Sequence, residues 1–61
     1  MQRSTSFDVG DIVLDCMGRR YYLLLSYIKT VDDWDLYRAI HLENGKISVW
    51  SFSHITYNKV A

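Results

Sequence analysis

The stretch from Asp35 to Phe52 restricts this chain more than any other. Asn44-Gly45 sits between two runs of strand-forming residues, Leu36 to Leu42 and Ile47 to Phe52. That dipeptide suits a two-residue turn with both central residues at φ > 0, so the stretch reads as a β-hairpin. Such a turn places Glu43 opposite Lys46, Leu42 opposite Ile47, Ile40 opposite Val49, Ala39 opposite Trp50 and Tyr37 opposite Phe52. Because side chains alternate across a strand, two faces follow. One carries Leu36, Ile40, Leu42, Ile47 and Val49 with Arg38 and Ser51; the other carries Tyr37, Ala39, His41, Trp50 and Phe52. Neither face is simply polar, so the hairpin calls for cover on both sides, from its own chain or from a partner.

The chain has 61 residues, enough for one domain. A domain of this size buries only about 60% of the surface its unfolded chain exposes. Hydrophobic residues make up 49% and aromatics 15%, and proline is absent, which excludes a disordered peptide. Seven basic residues balance seven acidic ones. Nucleic-acid modules usually carry a basic excess for phosphate contacts, and that excess is missing. Cys16 is the single cysteine, which excludes an internal disulfide. The start of the chain has no apolar run resembling a signal peptide. The longest apolar stretch, Tyr21 to Leu25, is far short of the ~20 residues of a membrane helix. A cytoplasmic location with no membrane partner is the expectation.

Residues 1–6 are polar and aperiodic and read as an N-terminal arm, with the domain spanning 7–61. Gly10 suggests a turn leading into a first strand at 11–16, and Gly18, free to take φ > 0, a turn after it. The second strand, 20–28, puts Tyr21, Leu23, Leu25 and Tyr27 on one face and Tyr22, Leu24, Ser26 and Ile28 on the other. A polar loop over 29–34 precedes the hairpin. One turn of 3₁₀ helix at 53–56 and a short closing strand at 57–60 complete the chain.

This order resembles the SH3-like small barrel, an all-β fold of five bent strands with a 3₁₀ turn before the last. The likeness is carried by Val9-Gly-Asp-Ile-Val13, Tyr22-Leu-Leu-Leu-Ser26 and Leu42-Glu-Asn-Gly-Lys46. Short accessory proteins of tailed bacteriophages are similar in these segments, and the resemblance implies a fold more than a chemistry. Within small barrels, KOW and Tudor modules begin similarly. They bind RNA, ribosomal or polymerase surfaces, or methylated side chains. Small-barrel toxin ribonucleases share the opening strand, and Arg19, Arg20 and Ser26 fall at loosely similar places. Those enzymes are nearly twice as long, and their later strands and helix have no room here.

Few residues offer chemistry. Cys16, His41 and His54 have no metal-ligand spacing, so neither a metal nor another cofactor is implied. Asp32, Asp33 and Asp35 cluster before the hairpin, where aspartates commonly form turns. Arg19, Arg20, Lys29 and Arg38 are the cations from which a nucleic-acid groove would be built. If Ile40, Leu42, Ile47 and Val49 fill the interior, Tyr37, Trp50 and Phe52 lie partly outside, joined by Trp34 or Tyr22. Trp and Tyr are the types that most often dominate protein interfaces. The expectation is therefore a non-enzymatic protein-binding module acting on a host or viral protein. Its contact would use Trp34, Tyr37, Trp50 and Phe52, oriented by Asp32, Asp33 and Asp35. A nucleic-acid-binding barrel and a self-assembling virion component, or homodimer, are the alternatives.

Overall fold

The computed structural model describes residues 7–53 and 55–61; the arm at 1–6 and His54 lie outside the described residues. The described chain is all-β. Strands β1 (Ile12–Asp15), β2 (Arg20–Val31), β3 (Trp34–His41), β4 (Ile47–Phe52) and β5 (Tyr57–Lys59) follow in order. They form one antiparallel sheet in the order β4-β3-β2-β1-β5, with β4 and β5 as its two free edges. The sheet is therefore open, and the described residues ahead of β5 show a turn with no 3₁₀ helix among them. Ser53 closes that turn, its carbonyl accepting from the backbone N–H groups of Thr56 at 3.1 Å and Tyr57 at 2.9 Å.

The central hairpin exists, but its turn is longer than a two-residue one. His41 N–H donates to the Lys46 carbonyl at 2.8 Å, and Gly45 N–H to the His41 carbonyl at 2.7 Å. Residues 42–45 thus form a four-residue loop, a length usually built around a type I turn. Only Gly45, at φ +74°, enters the left-handed region. Asn44 contributes its side chain instead, Oδ1 accepting from Lys46 N–H at 2.9 Å. The register accordingly moves by two residues: Tyr37 pairs with Trp50, Ala39 with Ser48 and Ile40 with Ile47. A shift of two leaves the membership of each face unchanged.

What reverses is inside and outside. Tyr37, Ala39 and Phe52 are completely buried, while Leu42, Ile47 and Val49 are 43%, 55% and 42% exposed. The core is the aromatic face: Phe7, Val13, Tyr22, Leu24, Tyr37, Ala39 and Phe52, with Trp50 and Tyr57 packed against it. The reason is volume. A short chain supplies few inward positions, and large rings, each burying about 150–250 Å², fill the space best. The rings meet edge to face, Phe52 lying 4.7 Å from Tyr57, 5.6 Å from Tyr22 and 6.1 Å from Tyr37. Phe7 closes the cluster, its carbonyl accepting the Tyr37 hydroxyl at 2.9 Å.

β2 runs to Val31, further than its periodicity predicts, because two bulges interrupt its alternation. The pairing with β3 skips Leu25 and Ile28. Each skip changes the parity, so Tyr22, Leu24 and Tyr27 all pair with inward residues of β3, and Ser26 pairs with outward Arg38. Extra residues of this kind bend and twist a strand. The loop expected at 29–34 shrinks to Asp32-Asp33, with Val31 paired to Trp34 and Asp32 at φ 56°. In the β1–β2 turn the left-handed residue is Arg19, at φ 58°, and not Gly18. Gly18 answers a close approach: a Cβ there would lie 3.1 Å from both Arg20 Nη1 and Asp15 Oδ2.

Candidate protein-binding surface

With the aromatic face inside, the sheet presents its aliphatic face outward. β2 contributes Tyr21 and Leu23, β3 contributes Leu36 and Ile40, the hairpin loop contributes Leu42 beside Tyr21, and β4 contributes Ile47 and Val49. Tyr21 is 47% exposed, and Leu23, Leu36 and Ile40 are half-buried between their neighbours. Arg38 stands within this face, paired with Ser26 on one side and Val49 on the other. At one end, Arg19, Tyr21, Leu42 and Glu43 line a shallow depression of about 400 Å³. Another of about 530 Å³ is lined by Leu14, Cys16, Arg19 and Tyr21, so the two share the wall that Arg19 and Tyr21 form. Toward the far end come Lys29, paired with Leu36, and then exposed Val31 paired with 41%-exposed Trp34. The surface is an apolar strip punctuated by cations.

The residues expected to bind a partner are divided by this arrangement. Tyr37 and Phe52 belong to the core and present no surface. Trp50 is half-buried against Tyr22, ring centroids 4.9 Å apart. Asp35 is also buried, its Oδ1 accepting from the Thr30 hydroxyl at 2.5 Å; that hydroxyl lies 2.6 Å from Tyr27 Oη. Asp35 therefore anchors the end of the β2–β3 ribbon from within. Trp34, Asp32 and Asp33 do lie together, exposed at the tip of that ribbon. Of the cations, Arg19, Lys29 and Arg38 share the outer side, whereas Arg20 pairs with Asp15 on the aromatic side of β2. Arg19 and Lys29 stand near opposite ends of the twelve-residue β2. The cations are strung out and make no single cluster.

The candidate reactive groups are dispersed as well. His41 is buried, its ring edge-on to Tyr22 at 5.1 Å, and its Nδ1 has no hydrogen-bond partner. Cys16 is exposed, and its Sγ accepts from Asn58 Nδ2 at 3.0 Å. Among the described residues no three His, Cys, Asp or Glu side chains gather where a metal ion would be held. The described residues also contain no helix long and apolar enough to cross a membrane. Burial, then the Asp15 carboxylate, push the Tyr57 hydroxyl up to about 12.

Tyr21, Leu42, Ile47 and Val49 were not anticipated as surface. One signal for them is in the sequence: Arg38 falls on the aliphatic face, and a guanidinium needs water or a partner. No protein family, characterised protein or solved structure matches this chain.

Proposed function

We propose that this chain is a non-enzymatic protein-binding module of SH3-like type, whose outer aliphatic face occupies a surface of another protein. The observation that carries this is the exposure of Tyr21, Leu42, Ile47 and Val49 on one side of the sheet and its hairpin loop, with Arg38 among them. Contiguous apolar surface of this kind marks interaction sites. Arg19, Lys29 and Arg38 add positive charge along the strip, with Glu43 at one end and Asp32 and Asp33 at the tip beyond the other. The partner is accordingly an apolar protein surface bearing carboxylates. A guanidinium framed by apolar neighbours pairs most effectively with a carboxylate when both leave water together. The resemblance of the opening, second-strand and turn segments to phage accessory proteins supports a host or viral protein as that partner.

The placement of Arg19, Lys29 and Arg38 on one side keeps a nucleic-acid-binding barrel as the second reading. Affinity capture from bacterial lysate, with and without nuclease, separates the two. Baits should be the wild-type chain, Arg38→Glu and Leu42→Lys. A protein held by the wild type through nuclease treatment, and weakened at least tenfold by both substitutions, supports the binding-module reading. Equal capture by all three baits overturns it, and capture that vanishes with nuclease transfers the face to nucleic acid.

A further inference from the structure

The two free edges of the sheet are built differently. β5 is only three residues long and carries Lys59, whose Nζ lies 3.7 Å from Asp11 Oδ1. A short, charged edge of this type resists pairing with another chain. β4 is twice as long, Ile47-Ser-Val-Trp-Ser-Phe52, with no charge, proline, glycine or bulge. That is the composition of a strand that readily adds another strand.

Its hydrogen-bonding groups can be placed. His41 N–H donates to the Lys46 carbonyl, and inward- and outward-directed residues alternate along an antiparallel strand. Ser48, Trp50 and Phe52 therefore bond to β3, while Ile47, Val49 and Ser51 direct their N–H and C=O groups away from the sheet. Among the described residues no hydrogen bond reaches these outward groups.

We propose that β4 pairs with β4 of a second copy, antiparallel about a two-fold axis at Val49, joining two five-stranded sheets into one. This register is the one in which all three outward residues find partners. Val49 faces its own counterpart, Ile47 faces Ser51 of the other copy, and about six backbone hydrogen bonds form. Side-chain parity is preserved, so Ile47 and Val49, both exposed in the single chain, meet across the axis. On the other side half-buried Trp50 comes opposite Ser48. A second copy suits this edge because β4 brings no charge to the axis and the chain has net charge zero. The nearest like charges, the two Arg38 groups, stand three strand spacings apart, about 14 Å, beyond the ~8 Å screening length of physiological salt. The contact is isologous, as two-fold dimers require. Its length puts it at the small end of interface size, so dissociation near micromolar concentration is expected.

Sedimentation equilibrium of the full chain from about 1 to 500 μM tests this. The expected result is a rise from 7.2 kDa toward twice that mass. Amide exchange at high concentration should slow at least tenfold at Ile47, Val49 and Ser51. Val49→Lys sets two ammonium groups against each other on the axis and should leave a folded monomer. Tyr21→Ser, on the same face but two strands from the edge, should leave the dimer intact. A monomer at every concentration overturns the proposal. So does a dimer that survives Val49→Lys but is lost in Tyr21→Ser, which would place the contact on the sheet face.

Discussion

Replacing Phe52 by leucine and Ile47 by threonine, one at a time, tests which side of the hairpin holds the fold together. Phe52 is fully buried and meets three tyrosine rings edge to face. Leucine there keeps an apolar side chain but loses those contacts, each ring pair being worth about 0.5–1.5 kcal/mol beyond area, and leaves part of the ring's volume empty. A cost of about 2–3 kcal/mol follows. Ile47 is 55% exposed on the outer side, and threonine keeps its β-branching. Its cost should stay near 0.5 kcal/mol, as for most surface changes. A chain this short has about 3–9 kcal/mol in total, from roughly 0.05–0.15 kcal/mol per residue. Each kcal/mol moves Tm by about 4–8 °C in small domains, so Phe52→Leu should lose 10 °C or more and Ile47→Thr only a few. Thermal and urea unfolding followed by near-ultraviolet circular dichroism, at low micromolar concentration, reads both. If Ile47→Thr costs as much as Phe52→Leu, the aromatic side is not the core and the inside-outside assignment fails.

Two further perturbations follow from local geometry. Gly45 sits at φ +74° with open space around it, so Gly45→Val tests backbone strain alone and should cost about 1–2 kcal/mol in chemical denaturation, whereas Gly45→Asn should cost little. A normally stable valine variant would show that the loop is misplaced. Tyr57 titrates higher in the folded protein, at about 12, than its ordinary 10.0, so the unfolded chain loses this proton first. Its contribution is therefore complete below pH 10 and lost as pH rises toward 12, by roughly 1 kcal/mol once solvent screening of the half-exposed ring is allowed for. Tyr57→Phe should lose less stability than the wild type between pH 9 and 12, and identical slopes would refute the assignment.

The strand content was legible because it rests on local signals. Asn44-Gly45 marks a hairpin, Gly10 a turn, and the β-branched and aromatic runs mark strands. Side-chain alternation on β3 and β4 also survived, since a two-residue shift of register preserves parity. What sequence did not reveal was which face turns inward, for both are apolar and the decision lies in how much volume a short chain must fill. The partner-binding candidates divided on that point: Tyr37, Phe52 and Asp35 went inside, while Trp34, Asp32 and Asp33 stayed at an exposed tip. The bulges at Leu25 and Ile28 were equally hidden, because they arise from the match between β2 and β3 and leave no mark in either strand alone. Arg19 in the left-handed region was hidden too, because Gly18 beside it carries the turn signal but answers the close approach of Arg20 and Asp15.

The pairing of β1 with β5 has a bearing on how the chain folds. Asp15 pairs with Tyr57, 42 residues further along the chain, so this contact closes a far longer loop than any hairpin of the sheet. β2, β3 and β4 can zip together as successive hairpins, each forming in about 1–10 μs. β1 can join them through β2, but its other side stays open and attractive to any passing strand. The folding chain thus passes through a stage with an unprotected edge at each end of the sheet. Docking of Tyr57 to Lys59 covers one of them, and that is the step at which a strand of another molecule competes with β5.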